Sequence, residues 1–97
     1  MIIDLKYDFN AIAEIEDKYG TSIGAIFASG DIGFKVMRLL VWGGMLHNAP
    51  RTFTVKDAGK VISEYISEGG TLTELDALIT QKLMESELFE NFTQAEE

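Results

Sequence analysis

The chain has 97 residues, 46% hydrophobic and 25% charged, which are the proportions of an ordinary globular protein and the length of one domain. Eight basic residues against 16 acidic ones give a net charge of −8. That balance disfavours nucleic acid, whose phosphates call for basic surface, and anionic membrane surfaces. With no cysteine, disulfides, thiolate nucleophiles and Cys-based zinc sites are excluded.

The opening Met1-Ile2-Ile3-Asp4-Leu5-Lys6 lacks the basic start and long apolar stretch of a signal peptide. The longest apolar stretch, Leu39–Leu46, has eight residues, whereas a membrane span needs about 20. Ile3, Leu5, Tyr7 and Phe9 alternate with Asp4, Lys6 and Asp8. This period of two predicts a short, half-buried N-terminal strand over Ile2–Phe9. No equal strand run follows, so its expected partner is a second copy of the chain, through edge pairing, or the short stretch Arg51–Thr54.

Helices account for the remainder. Asp8 or Asn10 is expected to cap a first helix carrying Ile12, Ile15 and Tyr19 on one stripe, with Gly20 ending it. Ser22 opens a short turn of helix over Ile23–Ala28, closed by Ser29-Gly30. Asp31 is the expected cap of a third helix, from about Ile32 to His47. Its apolar residues, among them Val36, Met37, Leu39, Leu40, Val41, Trp42, Met45 and Leu46, cover nearly the whole circumference, as in a helix surrounded by its own protein. Gly43-Gly44 is costly inside a helix, and the expected compensation is close approach of another backbone there.

Pro50 ends this central helix. Thr54-Val55-Lys56-Asp57 reads as an acidic variant of the capping box, opening a helix whose stripe is Val55, Ala58, Ile62, Tyr65 and Ile66. After Gly69-Gly70, Thr71-Leu72-Thr73-Glu74 reads as a full capping box. It opens a last helix that buries Leu72, Leu75, Leu78, Ile79 and Leu83. The fold class is therefore mainly α, one small domain of four to five helices with one short N-terminal strand. Residues 1–84 form the domain and 85–97 an acidic tail; residues 83–97 hold five acids and no base.

No catalytic constellation emerges. His47, the only histidine, titrates near neutral pH and has to be weighed as an acid–base group. Its place at a helix end favours a capping role. Glu14, Glu16 and Asp17 read as a solvated face, with Glu14 and Lys18 spaced for an i,i+4 ion pair, and lack the spacing of a calcium loop. Gly20, Gly24, Gly30, Gly33, Gly43 and Gly44 fit no phosphate-binding motif; they read as helix breaks and packing positions. Trp42 with Met37 and Met45 reads as core. No cofactor and no metal site is expected. The tail differs: Leu88, Phe89 and Phe92 among acids are candidate partner-binding residues, because exposed apolar clusters mark interaction surfaces.

Two stretches resemble one family. Leu5-Lys6-Tyr7-Asp8-Phe9-Asn10-Ala11-Ile12-Ala13-Glu14-Ile15-Glu16 resembles the opening of the small tail assembly chaperones of long-tailed bacteriophages and related gene transfer agents. Leu39-Leu40-Val41-Trp42-Gly43-Gly44-Met45-Leu46-His47, followed by Pro50 and Thr54, is similar to that family's Leu-rich helix and its turn before a proline. The similarity covers roughly residues 3–70.

The resemblance implies a non-enzymatic protein of the host cytoplasm. Such a protein binds the long tape measure protein, keeps it soluble, helps recruit tail-tube protein, and is not retained in the mature virion. In many such phages a frameshifted, longer form is also made. The physics of a long, helix-rich client fits, since many weak helix-in-groove contacts gain avidity along one chain. The alternative is a small structural head–tail or tail component retained in the virion. A small enzyme using His47 with a carboxylate is a third class, tested by loss of a pH-dependent activity in His47→Ala.

Overall fold

The computed structural model describes residues 1–28 and 33–86. It is mainly helical, with five α-helices: α1 (Phe9–Tyr19), α2 (Ile23–Ala28), α3 (Phe34–Met45), α4 (Val55–Ser67) and α5 (Leu72–Met84). A single 3-10 turn, Leu46–Asn48, prolongs α3. None of the described helices is long and apolar enough to cross a membrane.

The helix ends follow from short-range chemistry. The Asp8 carboxylate accepts the Ala11 N–H at 2.8 Å, satisfying one of the free donors of the first turn. Gly20 ends α1 with φ +89°, a left-handed conformation in which a Cβ would be strained. The Ser22 hydroxyl accepts the Ala25 N–H. At α4, Thr54 and Asp57 form a complete reciprocal capping box, and Thr54 holds the Asp57 carboxyl below the usual carboxylate range. At α5, Thr71 accepts the Glu74 N–H, but the Glu74 carboxylate turns to accept the Tyr65 hydroxyl at 3.1 Å. The box that looks complete in sequence is thus half made, because α4 offers Glu74 a better-placed donor. The expected Asp31 cap lies outside the described residues; α3 begins at Phe34 after Gly33, which supplies no side-chain bond.

Helix α3 is the axis of the molecule. Val36, Met37, Leu39, Leu40, Val41, Trp42, Gly43 and Gly44 are all buried, and α1, α4 and α5 each pack on it. α1 contributes Ile15, and α5 contributes Leu75, Ile79 and Leu83, to one continuous core with α3. Five fully buried side chains, Ile15, Leu40, Val41, Leu75 and Ile79, mark its centre. The all-round apolar pattern of residues 36–46 therefore has the physical meaning given to it above.

The N-terminal strand does not form, and the described residues contain no strand. Residues 1–8 nevertheless keep the alternation: Ile3, Leu5 and Tyr7 are buried, while Ile2, Asp4, Lys6 and Asp8 are exposed. They lie along the end of α3 instead of beside another strand, and the Lys6 N–H donates to the Gly44 carbonyl at 2.8 Å. Arg51–Thr54 cannot serve as a ladder partner. It is taken up by a turn, closed by the Phe53 N–H on the Pro50 carbonyl at 2.9 Å, and by the cap of α4. Phe9, placed by its spacing on the strand's buried face, opens α1 and is 71% exposed.

Candidate functional site

The two glycines of α3 are where the chain's ends of interest meet. A Cβ on Gly43 would overlap the Ile15 side chain of α1. A Cβ on Gly44 would come within 2.9 Å of both Leu5 Cδ2 and the Tyr7 ring. The approach that offsets the helical Gly-Gly pair is therefore mainly by side chains, Ile15 of α1 and Leu5 and Tyr7 of the N-terminal segment, and not by the backbone expected. The nearest backbone atom is the Ala11 carbonyl oxygen, 3.6 Å from a Cβ on Gly43. The Tyr7 hydroxyl completes the joint by donating to the Leu40 carbonyl at 2.7 Å.

Burial pushes the Tyr7 hydroxyl well above its ordinary pKa of 10.0. The sign of the consequence is fixed by linkage. Above pH 10 the unfolded chain loses this proton while the folded chain keeps it, so stability present below pH 10 falls as pH rises. The expected slope from this group is at most about 1.4 kcal/mol per pH unit. Urea titrations between neutral pH and pH 11 check it, with Tyr7→Phe flattening the alkaline decline.

Beside the joint lies a cleft of about 240 Å³ lined by Lys6, Asp8, Asn10, Ala11, Glu14, Leu46 and His47. His47 stands in the 3-10 turn with Nε2 3.2 Å from the Asp4 carbonyl oxygen and 3.7 Å from the Asp4 carboxylate. The Asn48 amide donates to the same carboxylate at 3.5 Å. His47 therefore fastens the N-terminal segment rather than capping the carbonyls of its own helix. An acid does stand beside it, forty-three positions away in sequence, which no helical neighbour rule could have found. None of the residues lining the cleft is a serine, threonine or cysteine. What the arrangement does is hold residues 1–8 against the bundle and present charges of both signs at its rim.

The acidic cluster of α1 divides. Glu14 lines the cleft, while the Glu16 carboxylate accepts the Ile23 N–H at 2.6 Å, capping α2 from the preceding helix. Lys18 does not pair with Glu14. Its Nζ sits 5.6 Å from the centroid of the Trp42 ring, a cation–π contact, and the Trp42 indole N–H donates to the Phe53 carbonyl at 3.2 Å. Among the described residues no group of acids and histidine is placed to hold a metal ion. Trp42 and Met37 are buried and Met45 is half-buried, as core residues are.

The candidate partner-binding residues Leu88, Phe89 and Phe92 lie outside the described residues. Within them, apolar surface remains open, including at Ile66 of the α4 stripe. Phe34 at the start of α3 is 78% exposed, and Ile66 on α4 is 43% exposed. The α4 stripe is only half covered, with Ala58 buried but Val55, Ile62 and Tyr65 half-buried. Comparison of the chain with protein-family models, with curated proteins and with solved structures finds no match in any of the three.

Proposed function

We propose that this chain is a tail assembly chaperone of the kind made by long-tailed bacteriophages. It binds the tape measure protein in the host cytoplasm, keeps it soluble, helps recruit tail-tube protein, and leaves before the virion is complete. The observation that carries the reading is the joint at Gly43-Gly44. The two stretches that resemble the family, Leu5–Glu16 and Leu39–His47, pack on one another there, with Ile15 against Gly43 and Leu5 and Tyr7 against Gly44. In this chain the two stretches therefore form one folded joint, which is what supports reading them together.

The remaining support is physical. A small helical bundle with incompletely covered apolar faces suits helix-in-groove binding of a long helical client, and a net charge of −8 keeps a coated chain soluble. The reading needs no cofactor, metal or catalytic residue, and it assigns partner contacts to Leu88, Phe89 and Phe92. Replacing all three by Ser is expected to weaken capture of the tape measure protein in a pull-down about tenfold or more, equivalent to about 1.4 kcal/mol, with little change in thermal midpoint. A large loss of folding instead would place these side chains in the core. Presence of the chain in purified virions would favour the retained structural component.

A further inference from the structure

Charge is unevenly placed along the chain. Between Gly33 and Ser63 stand five basic residues, Lys35, Arg38, Arg51, Lys56 and Lys60, against the single acid Asp57, within a chain of net charge −8. Four of them stand on α3 and α4, which pack on each other. The Arg38 Cδ lies 3.1 Å from where a Cβ on Gly59 would stand, so its stem crosses α4 at that glycine. Trp42, one turn later on α3, reaches the Phe53 carbonyl just before α4. The two helices therefore run antiparallel, and Phe34, one turn before Arg38, falls near the level of Ile62.

Along α4, Val55, Gly59, Ile62 and Ile66 share one face by their i, i+4, i+7 spacing, with exposed Lys56 and Lys60 beside it. Phe34 and Lys35, at the start of α3, are exposed as well. Arg38 has no carboxylate partner among the described residues, and its Nε is buried without a hydrogen bond. A guanidinium without a carboxylate partner can take one at its two terminal nitrogens.

We propose that this α3–α4 seam is the docking site of the chain's own residues 87–97. That segment, outside the described residues, carries Glu87, Glu90, Glu96 and Glu97, no base, and the apolar Leu88, Phe89 and Phe92. It matches the seam twice, with carboxylates for Arg38 and the three lysines and large side chains for Phe34, Ile62 and Ile66. Phe92, six residues beyond Ser86, reaches about 20–22 Å when extended and the terminal Glu97 about 36–40 Å, against dimensions of 43 × 28 × 21 Å for the molecule. Tethering supplies the tail at an effective concentration in the millimolar range, which favours the chain's own tail over that of a second copy. The inference stands without the chaperone reading; under that reading the docked tail and the client compete for Leu88, Phe89 and Phe92, and the tail is released when the client binds.

The absence of cysteine gives a clean test. A nitroxide on Thr93→Cys in the isotope-labelled full chain is expected to broaden the amide signals of Lys35, Arg38, Gly59, Lys60 and Ile62 to below half intensity. Raising salt from about 0.05 to about 0.5 M shortens the screening length and is expected to restore them. Lys35→Glu with Lys60→Glu, both at exposed positions, is expected to abolish the effect while the rest of the spectrum stays folded. Broadening elsewhere, or none, overturns the proposal. So does equal broadening of these signals when unlabelled nitroxide-bearing chains are mixed with isotope-labelled chains lacking the nitroxide, because the occupant is then a second copy's tail.

Discussion

Gly43→Ala is expected to destabilise this protein by about 2–3 kcal/mol, the cost of overpacking a tight core contact. In an ordinary helix interior the same change is worth about 1 kcal/mol in the other direction. The sign reverses because the new methyl group would overlap the side chain of Ile15, which is fully buried. Ile15 is enclosed by the core, so relief requires α1 to move away from α3. For a domain of this size the thermal midpoint is expected to fall by about 10–20 °C. Combining Gly43→Ala with Ile15→Ala should cost at least about 1 kcal/mol less than the sum of the two single changes, because the second deletion makes room for the first. A stabilising Gly43→Ala would contradict the joint described above.

Tyr7→Ala is expected to cost about 3–5 kcal/mol, the range for removing a large buried aromatic side chain. Tyr7 is 4% exposed, its ring lies against Gly44, and its hydroxyl donates to the Leu40 carbonyl at 2.7 Å. It is the anchor of an extended segment that has no ladder to hold it. Amide exchange at Lys6, whose N–H bonds the Gly44 carbonyl, should therefore rise well before exchange in α3 does. Tyr7→Phe separates packing from the hydrogen bond. It is expected to cost about 1 kcal/mol, since the Leu40 carbonyl sits within a helix and is not orphaned by the loss. Equal costs for the two substitutions would mean that the hydroxyl, and not the ring, holds the segment.

Much of this fold is legible locally. The caps at Asp8, Thr54 and Thr71, the left-handed Gly20 and the all-round apolar α3 each follow from residues within one or two turns. The N-terminal segment shows where such reading stops. Alternation records which side chains are buried, and Ile3, Leu5 and Tyr7 are buried as their spacing implies. It does not record what buries them, and here a helix does so in place of a neighbouring strand.

The same limit applies to the site. His47 was visible as a candidate, but its partner Asp4 is set by docking of the chain's opening against its middle. Glu16 looked solvated because its role, accepting the Ile23 N–H, depends on the turn at Gly20. Lys18 looked like the partner of Glu14, yet the Trp42 ring, reachable only once α1 packs on α3, holds it. Short-range preferences were overridden wherever a tertiary contact offered a drier or better-aimed partner.

That this chain keeps a tape measure protein soluble is tested most directly by co-expression with the long protein encoded just downstream, where there is one. The expected result is a long protein that moves from the insoluble to the soluble fraction and co-elutes in size-exclusion chromatography with many copies of this chain. A long protein that stays insoluble while this chain elutes alone would contradict the claim.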